Sequence, residues 1–326
     1  TGMGALEYHP IDKERLSDLS YAAPIEIRKL YEQTKKVITG QLDEKLSEII
    51  ETASSAGGAR AKALVGVNRC DGTVISGVRD LPAEYDHHII KFDNGGEDNK
   101  GWGAVEYSYS QMAKACGIIM SDTGIVHDRD NMHFLTKRFD RGENGKKIHM
   151  LSLSAIAEND FNNQRSYDYD GLFRIALNLT NGAGFANQLF RRMIFNLFAI
   201  NRDDHVKNFS FIMDDHFRWD LSPAYDLCFS YGGWCEEHQL TINGKFGSEV
   251  GRDELISFAE NHSVKKPEMI INEVHDVVCS FDEIAIKNDV PDKLRSYIMK
   301  TIGEHSNKFK NNNAKKWTNF TKKLKY

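Results

Sequence analysis

The sequence predicts an α+β fold, with strands gathered toward the N-terminus and helices filling the remainder. Three observations carry that expectation. Short β-branched runs bounded by turn residues fall between residues 63 and 141. Apolar residues recur at three- and four-residue steps within 171–200, and residues 250–326 read as helices. At 326 residues the chain is long enough for two lobes with sizeable cores.

Composition narrows the classes. Forty per cent hydrophobic and ten per cent aromatic residues are ordinary for a globular protein. No apolar run approaches the ~20 residues that span a bilayer, so no membrane association is expected. The start, Thr1-Gly2-Met3-Gly4, has no secretory signal. The five cysteines (Cys70, Cys116, Cys228, Cys235, Cys279) form no C-x-x-C pair, so neither a zinc site nor a disulfide framework is indicated. A cytoplasmic location is the simplest expectation. The net charge of −5 hides an asymmetry: residues 306–326 carry seven Lys and no acidic residue, leaving 35 of the 42 basic residues against 47 acidic ones. An acidic body argues against direct nucleic-acid binding by the main fold. The basic tail, Lys308 through Lys325, reads as a contact for nucleic acid or an acidic partner, or as a solvated helix end or frayed terminus.

Residues 4–8 (Gly4-Ala5-Leu6-Glu7-Tyr8) read as a strand, and residues 24–50 as helical. The stretch from Thr52 to Lys62 is small and Gly-rich, and includes Ser54, Ser55, Gly57, Gly58, Ala59 and Arg60. Glycine lets backbone N–H groups approach phosphates, and Arg60 and Lys62 add positive charge. The pattern is not G-x-x-x-x-G-K-[ST], so it does not support a P-loop NTPase. An ordinary turn has the same composition. Residues 63–68 and 73–78 read as a hairpin across Asp71-Gly72. The β-branched run 87–92 carries Lys91. In kinases a strand Lys contacts phosphates and pairs with a helix Glu. Glu106, opening a helical segment that ends at Gly117, fits that role. The polar loop 93–101 lies between them. Phe134 to Arg141 reads as a strand leaving one lobe; its backbone can bond an adenine edge, or Arg138, Asp140 and Arg141 can form an inter-lobe ion pair.

Residues 171–200 read as helical and deliver Asn201-Arg202-Asp203-Asp204-His205-Val206-Lys207-Asn208. An Asp followed five positions later by an Asn is the catalytic-loop spacing of protein kinases, in which the Asp accepts the acceptor hydroxyl's proton and the Asn holds a metal. Asp203 fits the spacing, and Asp204 is one residue off. Asp226 follows a hairpin made by 209–213 and 217–221 and offers a second hard oxygen ligand of the kind magnesium prefers. His205 can orient the loop or serve as a ligand.

In order along the chain, these pieces resemble the HipA family of bacterial serine/threonine kinase toxins. The resemblance rests on residues 4–8, Gly57-Gly58-Ala59-Arg60 with Lys62, Ile89-Ile90-Lys91, Glu106, Arg138-Phe139-Asp140-Arg141, Asp203 to Ser210, and Leu221-Ser222-Pro223-Ala224-Tyr225-Asp226. It covers nearly the whole chain. It implies a two-lobed kinase-like fold, with a small β-rich lobe (1–141) and a larger helical lobe (142–326). It implies ATP with magnesium, Asp203 as base, Asn208 and Asp226 as metal ligands, and Lys91 on the phosphates. Lys137, Arg138 and Phe139 become the adenine hinge, with His205 and Lys207 near the nucleotide, and Lys137 stands where well-known relatives carry an acidic residue. It further implies autophosphorylation of Ser54 or Ser55, a protein substrate among the aminoacyl-tRNA synthetases, and a HipB-like DNA-binding antitoxin. The start of the chain suggests the shorter HipT-type members, which lack an N-terminal subdomain and work beside a small HipS-like protein. Three other classes compete: a small-molecule kinase, a nucleotide-binding pseudokinase scaffold, and a metal-dependent phosphohydrolase built on His127-Asp128 and His275-Asp276.

Overall fold

The computed structural model describes residues 3–6, 24–38, 60–77, 80–93, 100–180, 184–306 and 309. Ser54, Ser55, Gly57, Gly58 and Ala59 lie outside the described residues, as do most of the polar loop after Asp93 and most of the basic tail. Helix α1 (Ile27–Ile38) precedes strands β1 (Lys62–Asn68), β2 (Val74–Ser76) and β3 (Tyr85–Lys91). Helix α2 (Trp102–Ala115) follows, then β4 (Thr123–Asp128) and β5 (Asn131–Lys137). The five strands form one sheet in the order β2-β1-β3-β5-β4, antiparallel throughout. The β1–β2 hairpin closes as Asp71-Gly72 predicts: Asn68 Oδ1 accepts from Cys70 N (2.8 Å), and Gly72 takes a positive φ of 73°.

The remainder is mostly helical. Strand β6 (His149–Ser152), the short helix α3 (Leu153–Ile156) and strand β7 (Tyr167–Asp168) lead into α4 (Tyr169–Leu179) and α5 (Phe185–Phe198). Strands β8 (Ser210–Met213) and β9 (Trp219–Leu221) form the expected hairpin, with β6 on the other side of β8. Strand β10 (Leu240–Thr241) pairs with β7. Helices α6 (Arg252–Asn261), α7 (Pro267–Cys279), α8 (Phe281–Lys287) and α9 (Asp292–Ser306) complete the lobe.

The predicted apolar stripe is core: Leu189, Phe190, Met193, Ile194 and Phe198 on α5 are fully buried. Helix α2 belongs to this large core through Ala104, Val105, Tyr109 and Met112. It also presses against β5, since a Cβ at Gly103 would lie 1.8 Å from the Met132 carbonyl oxygen. A glycine there lets the helix sit directly on the strand. A smaller core of Leu30, Tyr31, Ala63, Val65, Ile90 and Phe92 joins α1 to the sheet.

Four expectations are corrected. Residues 3–6 form a turn rather than the start of a strand, with Gly4 at φ +71° and its N–H donating to Asp140 Oδ2 (2.7 Å). Glu106 lies inside α2 instead of opening it. The helix begins at Trp102 because Asp93 reaches back to accept from Gly101 N (2.7 Å) and Trp102 N (3.2 Å), a cap remote in sequence. The helical run 171–200 is two helices, and the first starts at Tyr169 because Asp168 caps it through Gly171 N (2.5 Å). Strand β4, with Gly, His and Asp in six residues, carries too weak a pattern to be anticipated and forms because β5 offers it an edge.

Asp140 is the fixed point where the chain leaves the five-stranded sheet. Arg138 holds it with two bonds (2.8 and 2.7 Å), Arg141 with a third (3.1 Å), and Arg141 also donates to the Gly4 carbonyl (3.0 Å). Burial raises its pKa, but the two guanidiniums and the Gly4 amide outweigh that and hold the carboxyl below its usual value. Replacing Asp140 by Ala removes the carboxylate that two buried guanidiniums share. Asp140→Ala is expected to destabilise the protein by about 3–5 kcal/mol in urea titration.

Candidate active site

Lys91, at the end of β3, is buried and donates to Glu106 Oε1 (2.5 Å) on α2. It also donates to Asp226 Oδ1, after the β8–β9 hairpin, so one ammonium joins sheet, helix and helical lobe. The second oxygen of Glu106 accepts from Arg60, directly after the Gly-rich stretch. Lys62 faces Lys91 in the β1–β3 register. The result is a row of alternating charges, Arg60–Glu106–Lys91–Asp226, with Lys62 beside it. Burial pulls the Lys91 ammonium down to about 8, against the opposing pull of Asp226. Burial pushes Asp226 up, but Lys91, Lys62 and Arg60 outweigh it and hold this carboxyl well below the usual range. Asp226 takes a φ of +56°, which Asp tolerates better than most residues.

The loop after α5 sorts its two acidic residues. Asp204 is buried and satisfied: its oxygens accept from Tyr169 OH (2.8 Å) and Gln239 N (2.7 Å), and His238 Nδ1 lies at 3.1 Å. Tyr169 OH in turn accepts from Asn196 Nδ2 (3.0 Å), and Asn196 Oδ1 accepts from Asn201 Nδ2 (2.9 Å). Asp204 is therefore an anchor. Asp203 is partly exposed, with its carboxylate 3.6 Å from His205 Nε2. Partial burial pushes it up to about 6, against the pull of His205, with Asp226 and Asp204 adding to the rise. A carboxylate poised near neutral pH suits a general base. His205 Nδ1 accepts from Lys207 N (3.3 Å), which is the loop-orienting arrangement.

The same loop is held under strain. Ile200 is buried at φ +55°, a conformation that costs a β-branched residue about 1–2 kcal/mol. It is retained by bonds from Asn201 N to Asn196 O (2.9 Å) and from Ser230 N to Ile200 O (2.9 Å). Asn208 Nδ2 donates to the Asp203 carbonyl (2.7 Å), which leaves its Oδ1 as the acceptor face. Tyr225 OH donates to the Lys207 carbonyl (2.6 Å) and Arg192 to the Ser222 carbonyl (2.6 Å), so the segment leading to Asp226 is tied to the loop and to α5.

Other expected residues are committed elsewhere. Lys137 pairs with Asp86 (2.8 Å) and Arg138 with Asp140. Their amides donate to Asp122 and His87. Phe139 packs on Tyr225, with ring centroids 5.5 Å apart, one residue from Asp226. Lys207 lies over the Phe161 ring at 3.4 Å. Sequence reasoning missed Tyr169, Asn196, His238 and Gln239. The one local signal was Asn196, a polar residue inside an apolar stripe. A cavity of about 730 Å³, lined in part by Lys146, His149, Asp214 and Trp219, sits at the tip of the β8–β9 hairpin and includes none of Lys91, Asp203, Asn208 or Asp226. The charge geometry, rather than cavity size, marks the site.

A sequence model of the HipA-like C-terminal domain matches residues 54–283, more than half of the chain. The chain belongs to this HipA-like family. A solved structure of the HipA toxin of Shewanella oneidensis, in complex with HipB and operator DNA, superposes with a TM-score of 0.61 at 15% identity, covering 93% of this chain and 74% of that one. That likeness establishes a shared HipA fold. A candidate kinase of Haemophilus influenzae is 22% identical over 205 residues, which is 53% of this chain and 59% of that protein. The aligned part therefore spans less than two thirds of the relative. Among the described residues, no helix of this HipA-like chain is long and apolar enough to cross a membrane.

The two adjacent carboxylates separate by stability. Asp204→Ala leaves buried donors without an acceptor and is expected to cost roughly 1–3 kcal/mol in urea titration. Asp203→Ala is expected to leave the midpoint unchanged or slightly raised, because burial already disfavours its charged form.

Proposed function

We propose that this HipA-like chain is an ATP-dependent protein serine/threonine kinase and the toxin of a toxin–antitoxin pair. The observation that carries the reading is the charge row from Arg60 to Asp226, closed across both lobes by Lys91, beside a loop that presents Asp203 and buries Asp204. An isolated ion pair can be structural. Three cations converging on a strand end, with a raised carboxylate nearby, form a site for a polyanion and a base for its acceptor.

Each residue has a task. Lys91, Arg60 and Lys62 receive the phosphates. Glu106 fixes where Lys91 points. The backbone at Phe139 meets the adenine edge, since the side chains of Lys137 and Arg138 are held by acidic partners. Asp203 accepts the proton of the acceptor hydroxyl as its oxygen bonds to the γ-phosphorus and the bridging oxygen leaves with the nucleoside diphosphate. The donor set fits magnesium: Asp226 stays ionised, and Asn208 turns its amide nitrogen to Asp203 and keeps its oxygen available. Asp226 and Asn208 would hold the ion, which supplies neutralising charge on the phosphates when bound. His205 and Lys207 set the loop between base and ligand.

The finer assignments complete the proposal. Ser54 or Ser55, beside the Gly-rich stretch, is the autophosphorylation site. The protein substrate is an aminoacyl-tRNA synthetase. A HipB-like DNA-binding antitoxin restrains the kinase, supported by the Shewanella complex, in which HipA is assembled with HipB. A small HipS-like protein is a further partner of a HipT-type toxin.

Asp203→Ala is expected to lower phosphoryl transfer by ~10²–10⁴-fold, read as 32P incorporation. Intact-mass measurement with ATP and magnesium is expected to show phosphate on Ser54 or Ser55 in the wild type and none in Asp203→Ala. A base must be ionised and the strand Lys protonated, so kcat/KM is expected to rise as pH passes about 6 and to fall above about 8. A profile flat from pH 5 to 7 overturns the base assignment.

A further inference from the structure

Asn208 stands just before β8 and Asp226 just after β9, on the two chain ends that leave that hairpin. Ser222 N donates to the Ser210 carbonyl (2.9 Å), and Arg192 donates to the Ser222 carbonyl (2.6 Å). Ala224 N donates to the Ile119 carbonyl (2.8 Å), so the second end is also tied to the turn after α2. Past that point it turns, with Asp226 at φ +56°. Nearer in sequence to both Asn208 and Asp226 than any of these bonds, the two ends are joined by the Tyr225 hydroxyl.

That hydroxyl has one proton, and it goes to the Lys207 carbonyl (2.6 Å). Its second partner, the Ser210 hydroxyl at 2.5 Å, is then the donor. Ser210 is fully buried, which keeps water from replacing it. Lys207 and Ser210 lie on either side of Asn208. The Lys207 carbonyl shares one rigid peptide plane with the Asn208 N–H, and that N–H donates to the His205 carbonyl (2.9 Å). Tyr225 and His205 therefore pin the two ends of one peptide, so it does not rotate and swing the Asn208 side chain. The Tyr225 backbone passes directly into Asp226. One phenol thus spans the gap between the two oxygen donors. Its ring is itself placed by Phe139, with centroids 5.5 Å apart.

Magnesium is exacting about such a gap. It demands near-ideal octahedral geometry with ligands at about 2.0–2.1 Å. A neutral amide oxygen adds little unless it is already in position. Groups that orient metal ligands typically cost about 10–100-fold in affinity when removed. A ring needed only for packing has no use for a hydroxyl, and here the hydroxyl is the part that reaches the loop.

Resting on the kinase reading and its two metal ligands, we propose that Tyr225 is a positioning residue whose hydroxyl sets the spacing between Asn208 and Asp226 and so fits the pair to magnesium. The test titrates the full chain calorimetrically with a non-hydrolysable ATP analogue, once with magnesium and once with a chelator. Wild type, Tyr225→Phe, Ser210→Ala and Asp226→Ala are compared. The ratio of the two Kd values reads what metal ligation adds, and Phe keeps the ring. The wild type is expected to bind more tightly with magnesium. Tyr225→Phe is expected to cut that advantage about tenfold, with the Kd in chelator unchanged. Ser210→Ala is expected to cut it less, because Tyr225 still donates to Lys207. A wild-type ratio in Tyr225→Phe overturns the proposal. So does an equal weakening of both Kd values, which is what a loosened fold gives. In either case, loss of the magnesium advantage in Asp226→Ala leaves the metal ligands standing. An advantage that survives in Asp226→Ala removes the metal-ligand reading, and the Tyr225 proposal with it. A wild type that binds the analogue under neither condition removes the kinase reading and everything resting on it.

Discussion

Glu106 is the carboxylate on which the site depends. It is 1% exposed, and it bears Lys91 on one oxygen and Arg60 on the other. Burying an ion pair this deeply costs desolvation, and such pairs rarely add net stability over an apolar pair of the same volume. The arrangement makes sense as positioning. With Glu106 in place, Lys91 has a defined direction, and its remaining hydrogen-bonding capacity faces Asp226. Helix α2 is the means: anchored in the large core, it brings Glu106 under the sheet, and Gly103 lets it come close enough to β5.

The second constraint is the loop after α5. A strained, buried Ile200 and a fully bonded Asp204 define its path, so Asp203 has little freedom left. The hydrogen bonds come from four places in the chain: α4, α5, the loop itself and residues 238–239. At the centre of this polar network the Asp204 carboxylate is fully bonded, which fixes the backbone on either side of it. The same stitching extends beyond Asp204, since Arg202 N donates to the Ser230 carbonyl and its guanidinium bonds the Glu236 carbonyl.

Much of this was legible because it is local. The Asp203-to-Asn208 spacing, the Asp71-Gly72 turn, the β8–β9 hairpin and the apolar stripe of α5 each depend on residues a few positions apart. Lys91 and Glu106 were legible as a pair because kinase logic asks for a strand cation and a helix carboxylate, and one of each occurs in that order. The start of α2 was missed because its cap, Asp93, lies beyond a polar loop, and β4 was missed because a neighbour's edge rather than its own residues makes it a strand.

By itself, the sequence determined the inventory: one strand lysine, one helix glutamate, a loop with Asp and Asn at fixed spacing, and an Asp after a hairpin. Turn chemistry and periodicity act over a few residues, so they can be read without a fold. Only the tertiary structure decided how those charges are shared. It buried Asp204 and left Asp203 partly exposed, took the side chains of Lys137 and Arg138 for Asp86 and Asp140, and joined Lys91 to Asp226, 135 residues away. Burial and ion pairing depend on distance through space and on the water excluded between groups, and neither quantity exists until the chain has folded.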